Sequence, residues 1–537
     1  MAVTYLIPSL ALPITAPAEE VLAAAARQLK RLGISPGHAI QYHIYRRSVD
    51  ARKREDIRFV YSVAASGDFS VRETERLARA GLAPLLDGEP TVTIGSELLS
   101  ARPVVVGTGP AGLFAALLLA EHGYRPLVLE RGGNVAERVE AIASFKKTRV
   151  LNAETNIQFG AGGAGTFSDG KLVTRVNDPL NSYVLSRFVA FGAPAEIMLL
   201  AKPHIGTDYL QTVVSRMLAR IEELGGEVRY HACVAELCLQ SGRVRAVRLA
   251  DGEEISCGAL VLAIGHSARD TYRMLLASGV AAEGKPFSVG LRIEHLQEDI
   301  DRAMYGKFAG HPALGHAEYT LSDRSGDRGV YTFCMCPGGE VVAATSEVQG
   351  VVVNGMSAHA RDGKNANAAV AVSINREDYG GTPLGAIAFQ QEIEHAAYLA
   401  GGGDYSAPAC LLGDFLAARE PRELSGRIAP SYMDGGVRPA LPDAYLPAFV
   451  TAALRHSLPQ FERRIAGYTA PDAVLTGPET RTSAPLRILR NEARVSPTLC
   501  NLYPCGEGAG YAGGITSAAL DGIHTAEALM ARYSCKI

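Results

Sequence analysis

Two different patterns of hydrophobic and polar positions divide the chain near residue 97. Before this point, apolar and polar side chains alternate or repeat with helical spacing, as in strands and helices with one buried face. The predicted elements are, in order, strand Val3–Ile7, helix Glu19–Leu32, strands Ala39–Ser48 and Asp56–Ala64, helix Arg72–Ala80 and a strand near Thr91–Ile94. This β-α-β-β-α-β order predicts a small ferredoxin-like α+β domain in residues 1–97.

From Arg102 onward, wholly apolar strands alternate with amphipathic helices, which is typical of a parallel sheet covered on both faces. The strand-like runs are Val104–Val106, Leu127–Leu129, Glu227–Tyr230 and Ala259–Ile264. Residues 286–480 differ, because short strands such as Val330–Met335 and Glu340–Thr345 stand among many glycines. We expect an α/β fold in which residues 98–285 begin the parallel-sheet domain, residues 286–480 form an inserted mixed α+β substrate domain, and residues 481–537 return to the first domain.

A glycine motif follows the first apolar strand. After Val104–Val106 come Gly107, Gly109 and Gly112, which open an Ala/Leu-rich helix. In this context the first glycine permits a tight turn, the second lets the backbone approach a pyrophosphate, and the third lets the helix pack on the strand. Glu130 lies about 20 residues further on, where an acidic residue accepts hydrogen bonds from a ribose. The motif predicts a Rossmann-type dinucleotide site.

A second glycine-rich turn near the other end of the chain distinguishes FAD from NAD. A short strand ends at Gly506 and Glu507, and a run through Gly513 and Gly514 opens a helix of small residues at Ile515. This layout resembles the second FAD fingerprint of the glutathione-reductase-type superfamily. The resemblance implies that Glu507 contacts the ribityl chain and pyrophosphate region, although most relatives carry Asp there. It also implies that the helix aims its N-terminus at the flavin ring, where its dipole stabilises negative charge.

A third glycine-rich segment, residues 158–172, stands where such flavoproteins run a loop past the isoalloxazine ring. Glycines there let backbone N–H groups approach the cofactor. The strand Ala259–Ile264 leads the chain back from the adenine side, and we expect His266 after it to be structural. The complete set of predicted FAD-binding residues is Gly107, Gly109, Pro110, Ala111, Gly112, Glu130, Arg131, Arg138, Gly163, Thr166, Ser168, Asp169, Gly170, Lys171, Val234, Gly265, Gly506, Glu507, Gly513, Gly514 and Ile515.

With these motifs in place, the whole chain resembles a bacterial family of uncharacterised FAD-dependent dehydrogenases. The strings that carry the resemblance include residues 46–52, 56–63, 165–171, 334–339, 365–368 and 479–483, together with the C-terminal glycine motif. The resemblance implies bound FAD and a substrate domain like those of related flavoprotein oxidases and reductases. It does not imply a particular substrate.

The candidates for catalysis lie mainly where the inserted segment ends. Arg481 and Arg487 could clamp a carboxylate or an enolate, or they could form ion pairs between domains. Lys171 could lie near the flavin or in solvent. Cys334 and Cys336 would point to opposite faces of a strand, which favours a structural role over a redox role. Arg361, Asn365 and Asn367 could line the substrate pocket or bond within loops.

Composition narrows the remaining possibilities. The net charge is −3, and no apolar run approaches the roughly 20 residues of a membrane span. The scattered cysteines and the absence of metal-binding motifs predict reduced thiols, no bound metal and a cytoplasmic location. A basic cluster at residues 46–54 could bind RNA, but acidic neighbours favour a solvated hairpin.

We therefore expect an FAD-dependent dehydrogenase or reductase that transfers a hydride between flavin N5 and a small organic substrate. The alternatives are an oxygen-using oxidase or monooxygenase and, outside enzymes, a flavoprotein with an RNA-binding or sensing role. A second nicotinamide-binding motif is absent from the sequence, which leaves NADH or NADPH as a transient electron donor at the flavin face. The oligomeric state stays open.

Overall fold

Three antiparallel strands and two helices form the N-terminal part of the computed structural model, which describes residues 3–34, 40–86 and 88–535. The elements are β1 (Val3–Pro13), α1 (Ala18–Arg31), β2 (Gln41–Asp50), β3 (Arg58–Gly67) and α2 (Val71–Arg79). The sheet order is β1-β3-β2, and α1 turns Val21, Ala25 and Leu29 into the core. Ala39, predicted to start the second strand, lies outside the described residues.

The fourth strand of a ferredoxin-like domain is not formed near Thr91–Ile94, so this part of the prediction is wrong. The backbone of the segment bonds instead to the end of the chain. The Thr91 amide donates to the Glu527 carboxylate at 2.8 Å, and the Gly95 amide donates to the Met530 carbonyl at 2.8 Å. Because the C-terminal residues satisfy these groups, the described part of the small domain keeps a three-stranded sheet.

The next part of the chain supplies short strands and covering helices. They are β4 (Val104–Val106), α3 (Pro110–Glu121), β5 (Leu127–Leu129), α4 (Val135–Thr148), α5 (Asn181–Ala190), α6 (Thr207–Glu223), β6 (Glu227–Arg229), β7 (Val234–Gln240), β8 (Arg243–Leu249), β9 (Glu254–Ser256), β10 (Leu260–Leu262), α7 (Arg269–Ala277) and β11 (Ala282–Gly284).

Longer strands dominate the residues that follow. They are β12 (Phe287–Leu296), α8 (Gln297–Tyr305), β13 (Ser322–Asp323), β14 (Val330–Cys336), β15 (Glu340–Ala343), β16 (Val353–Met356), β17 (Asn365–Ile374), α9 (Pro383–Ala400), β18 (Ala407–Leu411), α10 (Leu412–Leu416), β19 (Val437–Pro439), α11 (Ala448–Phe461) and β20 (Val474–Glu479). The chain closes with β21 (Leu486–Ile488), β22 (Leu502–Pro504) and α12 (Ile515–Arg532). Short 3-10 helices cover Ala164–Phe167, Ala195–Met198, Gly306–Phe308, Arg376–Tyr379, Tyr432–Asp434 and Pro442–Ala444.

A five-stranded parallel sheet of order β22-β10-β4-β5-β6 makes this a mixed α/β chain with a Rossmann-like domain. The predicted apolar strands lie in it, and β22 joins from the far end of the chain next to β10. Strands β4, β5 and β10 are wholly buried, because helices cover the sheet.

A separate sheet of seven strands, in the order β13-β14-β17-β12-β20-β18-β19, contains only strands between residues 287 and 479. Its central strands β12 and β17 pair over their whole lengths, from Phe287 with Ile374 to Leu296 with Asn365. The strand β20 pairs with β12 and ends at Glu479; after it come β21, which pairs with β11, and β22, which joins the parallel sheet. The end of β20 is therefore held where the two sheets approach each other.

Helices α3 and α12, which come from distant parts of the sequence, pack closely on each other. Gly522 in α12 lies so near the first turn of α3 that a Cβ atom there would overlap the carbonyl oxygen of Ala111. Since both helices are apolar and buried over most of their length, this contact sets how closely they approach each other.

We expect Gly522→Ala to lower the free energy of unfolding by about 1–3 kcal/mol, since a methyl group would overpack the contact between the helices. The sign is diagnostic, because alanine at an unobstructed helix position stabilises by about 1 kcal/mol relative to glycine. Urea unfolding followed by circular dichroism measures the change. An unfolding midpoint at or above that of the wild type would contradict the close packing.

Candidate functional site

A cavity of about 330 Å³ lies between the carboxyl edge of the parallel sheet and the end of the seven-stranded sheet. The predicted FAD-binding residues that line it are Gly107, Gly109, Pro110, Ala111, Glu130, Arg131, Gly163, Ser168, Asp169, Gly170, Lys171, Val234, Gly265, Glu507, Gly513, Gly514 and Ile515. Four other predicted residues, Gly112, Arg138, Thr166 and Gly506, are not part of the lining. The cavity thus joins three glycine-rich segments that are far apart in sequence.

Helices α3 and α12 both begin at this cavity. Their N-cap residues are Gly109 and Gly514, and neither helix has a side-chain cap. Backbone N–H groups and the positive end of each helix dipole are therefore available to a negatively charged group. A Cβ atom on Gly109 would point into open space, which is room that a bound molecule can use. This cradle fits a pyrophosphate and a ring that gains negative charge.

Glu130 locks the turn beside this cradle. One carboxylate oxygen accepts from the Thr108 amide at 3.0 Å and from its hydroxyl at 2.5 Å. The other accepts from the amides of Gly132 at 3.1 Å and Gly160 at 2.9 Å. The protein itself thus uses both oxygens to tie the motif to the neighbouring glycine segment, and the ribose contact stays a prediction.

Two arginines shape the same region. The fully buried Arg138 donates to backbone carbonyls of the glycine segment, at 2.6 Å to Ala161 and 2.9 Å to Gly163, and it stacks on Phe167. It therefore supports the lining from behind. Arg131 lines the cavity, lies 4.2 Å above the Phe159 ring and is paired with two carboxylates, those of Glu154 and Asp270.

Glu507 is a mostly buried carboxyl group in the cavity wall, and no described residue donates a hydrogen bond to it. Burial raises its pKa to about 7, against the smaller opposite effect of Lys285. A buried carboxylate without a donor is costly, so the group fits a ligand that brings hydroxyl donors. The ribityl chain of FAD is such a ligand.

Lys171 lies at the other end of the cavity in a cluster of buried charges. Its ammonium group pairs with Asp169, and Arg361 donates to the same carboxylate at 2.9 Å and pairs with Glu318. Burial acts to raise the pKa of Asp169, but the two cations lower it to about 2. The cluster holds the Lys171 ammonium group at the cavity surface.

Glu479, at the end of β20, also lines the cavity. Both of its carboxylate oxygens accept from the fully buried Arg292, which donates further to Asn354 at 2.7 Å and Asn367 at 3.1 Å. Burial raises the pKa of Glu479 to about 7, although Arg292 acts in the opposite direction. A carboxyl group with such a pKa can hold or release a proton near neutral pH.

The predicted catalytic arginines are placed differently from each other. Arg481 lines the cavity, but its guanidinium group is held by Glu394 at 2.8 Å and by Ser346 and Glu347. Arg487 is not part of the lining; it lies 5.2 Å from the Tyr511 ring and 3.9 Å from Glu283. Arg481 and Arg487 thus form ion pairs within the protein, which was the alternative to the substrate-binding role in the sequence analysis.

Other polar candidates from the sequence serve the surrounding structure. Asn365 donates to Glu294 at 2.9 Å, and Asn367 accepts from Arg292. His266 lines the cavity, where burial lowers its pKa to about 3, and it bonds to Ser267 at 2.9 Å. The His266 side chain is therefore a neutral imidazole at physiological pH.

Sequence reasoning missed the part of the wall that β14 and β16 contribute. Phe333, Cys334 and Asn354 line the cavity opposite the glycine-rich segments. Strand β14 carries an irregularity between Phe333 and Cys336, and Cys334 has φ 43°, so regular alternation of its side chains ends there. Because of this bulge, the assumption that Cys334 and Cys336 face opposite ways is wrong. The Pro-Gly-Gly run at 337–339 was the available signal that the strand ends here.

Three family models match the chain. Residues 286–482 match the C-terminal domain-like region of FAD-dependent proteins, residues 105–162 match an NAD(P)-binding Rossmann-like domain, and residues 7–66 match a domain of unknown function. An uncharacterised protein of Clostridium beijerinckii is 46% identical over 511 residues, which are 94% of this chain and 95% of that protein. The chain belongs to the family of FAD-dependent proteins that includes this relative, and it is a flavin-dependent enzyme.

Several solved flavoprotein structures are more distantly similar. One, titled CtdE in complex with FAD, is 12% identical, with 81% of this chain and 84% of that chain covered and a TM-score of 0.32. The flavin-dependent brominase Bmp2 is 12% identical over 80% of this chain and 79% of its own, with a TM-score of 0.37. Amadoriase I, the fructosyl amine:oxygen oxidoreductase of Aspergillus fumigatus, is 12% identical over 82% and 88%, with a TM-score of 0.32.

The cofactor of this enzyme is FAD, and the cavity fits it: two uncapped helix starts, open space at Gly109 and the carboxyl group of Glu507 without a donor. In the described part of the chain, no helix combines the length and apolarity needed to cross a membrane.

Replacing Gly109 by Trp should empty the site of flavin, because the indole would occupy the space that the cradle leaves open. Gly109→Ala should retain more flavin than Gly109→Trp, since a single methyl group fills much less of that space and meets no protein atom within 4 Å. The ratio of flavin absorbance to protein absorbance after purification measures retention. A folded Gly109→Trp protein with the wild-type flavin content would place FAD elsewhere.

The pH dependence of stability tests the carboxyl group of Glu507. Its pKa rises from 4.5 to about 7 on folding, so its stabilising contribution is complete below 4.5 and is lost as the pH rises through 7. In FAD-free protein, we expect Glu507→Gln to become more stable relative to wild type between roughly pH 5 and roughly pH 8. Urea unfolding at both pH values measures this, with the exposed Glu222→Gln as control. A difference that does not change with pH would contradict the buried, unbonded carboxyl group.

Proposed function

We propose that this enzyme is a dehydrogenase or reductase that acts on a small, uncharged organic substrate at the end of the cavity formed by Lys171, Cys334 and Glu479. The observation that carries the proposal is the meeting of these proton-bearing side chains with the glycine-rich start of α12 in one cavity. Bound FAD would supply hydride transfer at N5, and the accompanying proton must be handled by the protein.

Glu479 is the best-placed group for this proton. It is buried at the cavity wall, and its pKa near 7 lets it act as an acid or as a base at neutral pH. Arg292 fixes its orientation through both oxygens, and Asn354 and Asn367 in turn hold Arg292. The carboxyl group is thus positioned before the substrate arrives, which reduces the reorganisation that catalysis would need.

The charges around this end of the cavity support an uncharged substrate. When Glu479 is ionised, the positive groups in or behind this wall have negative partners: Lys171 and Arg361 with Asp169 and Glu318, Arg292 with Glu479, and Arg269 and Arg481 with Glu347 and Glu394. No excess positive charge is left in this wall to bind a carboxylate or a phosphate group. Recognition would then depend on shape and on hydrogen bonds from Lys171, Asn354 and Thr482.

The size of the site favours a small substrate. Strands β14, β16 and β20 close the end of the cavity, and the same space must take the flavin ring. We propose NADH or NADPH as an electron donor that binds transiently, since FAD itself would occupy the Gly107–Gly112 motif. Nucleic acid has no place in this proposal, because Arg52 in the basic hairpin is paired with Asp50 and the neighbouring Arg58 with Asp56.

Reoxidation of the flavin by oxygen separates this proposal from an oxidase or a monooxygenase. The FAD-loaded enzyme is reduced without oxygen, by light or by NADH or NADPH, and is then mixed with air-saturated buffer while flavin absorbance is followed. We expect oxygen to reoxidise the flavin slowly. In separate experiments without oxygen, a panel of small uncharged carbonyl compounds and alkenes is added to the reduced enzyme. At least one of these compounds should reoxidise the flavin faster than oxygen does. Rapid reoxidation by oxygen with stoichiometric hydrogen peroxide would overturn the proposal in favour of an oxidase.

A further inference from the structure

Two cysteines come together at the substrate end of the cavity. Because of the bulge in β14, the thiols of Cys334 and Cys336 do not point to opposite faces. The Cys336 thiol lies 3.3 Å from the Cys334 carbonyl oxygen, and the two side chains hydrogen-bond to each other. The backbone at Cys334 has φ 43°, a conformation that costs stability for a residue with a side chain.

The pair is placed toward FAD rather than away from it. Cys334 is in the cavity wall with Glu479 and Lys171, and Cys336 is wholly buried directly behind it. A thiol in the wall of a flavin site can exchange electrons with the cofactor without a carrier, whereas a buried partner is protected from other oxidants.

Positive charge near the sulfur atoms favours the thiolate that such chemistry needs. Arg292 donates to the Cys334 carbonyl at 2.8 Å and lies 4.0 Å from the Cys336 sulfur. The hydrogen bond from Cys336 lowers the pKa of Cys334; burial opposes this shift, and Arg292 and Lys171 add to it. The pKa of Cys336 is raised well above 9, so one thiol of the pair is the nucleophile and the other is the proton-bearing partner.

Cys233 and Cys505 also line the cavity, but burial raises the pKa of both thiols, that of Cys233 to about 11. Burial raises the pKa of Cys257 to about 12 and also raises that of Cys410 and Cys505, so these thiols are inert. Cys500 is exposed and is not part of the cavity wall. It therefore serves as a control in tests of the pair.

We propose that Cys334 and Cys336 form a redox-active dithiol that exchanges two electrons with FAD in the cavity. In the oxidising direction, one S–S bond forms and two S–H bonds break. Two electrons and two protons pass to oxidised FAD, which becomes FADH2, so that atoms and charge balance. The reverse step reduces the disulfide. This inference rests on the proposed function, because it needs FAD next to β14, and it adds a second two-electron store to the site.

The test uses the FAD-loaded enzyme in three forms: wild type, Cys334→Ser and Cys500→Ser. Each form is treated with the thiol oxidant diamide, which is then removed, and free thiols are alkylated with N-ethylmaleimide. The mass of the peptide that contains residues 334 and 336 is measured by mass spectrometry. Oxidised samples are also titrated with dithionite in the absence of oxygen. We expect an internal disulfide and an uptake of four electrons per flavin in wild type and in Cys500→Ser, two for FAD and two for the disulfide, but of only two electrons in Cys334→Ser.

A direct transfer step completes the test. When the wild-type disulfide form receives two electrons per flavin by photoreduction, the flavin is reduced first. We then expect flavin absorbance to recover in the dark while two alkylatable thiols appear. Thiols that stay free after diamide, or a disulfide that never exchanges with reduced flavin, would overturn the dithiol while the proposed function stands. These wild-type measurements decide the question even if Cys334→Ser loses its flavin. Protein that binds no FAD would instead refute the proposed function itself.

Discussion

The contact between α3 and α12 is the constraint on which the site depends. The two helices begin more than 400 residues apart in sequence, at Pro110 and Ile515, and meet through Gly522 with no room for a side chain. This packing puts two uncapped helix starts at one cavity, so the backbone itself supplies the positive potential for a dinucleotide. No basic side chain is needed at the turn, which leaves the charged residues free for the opposite wall.

In that opposite wall, charges are paired in the protein before any substrate binds. Arg292 holds Glu479, Asp169 holds Lys171, and Glu394 holds Arg481, each in a buried setting where an unpaired charge would be costly. Such a wall is neutral while Glu479 is ionised; burial raises the pKa of Glu479 to about 7, and the hydrogen bond from Cys336 lowers the pKa of Cys334. The chemistry proposed for the enzyme therefore centres on these two side chains.

The sequence was most informative where structure is local. The apolar strand before Gly107 and the turn after Gly506 predict their own conformations, because tight turns and close backbone approaches require glycine. It failed where distant groups compete: residues 91–97 pair with the C-terminal segment instead of a sheet, and a bulge redirects Cys334. The partners of Arg481 were also invisible, since Glu394 is 87 residues away in sequence. The extent of the inserted substrate domain and the individual FAD contacts stay predictions.

A crystal structure of the FAD-loaded enzyme is the most direct test of the central claim. The account predicts density for one FAD in the cavity, with the adenine end near Glu130 and Val234 and the isoalloxazine ring at the wall formed by Lys171, Cys334 and Glu479. A flavin bound in the reverse direction, or with its ring away from that wall, would contradict the assignment of the substrate end and every role proposed for its residues.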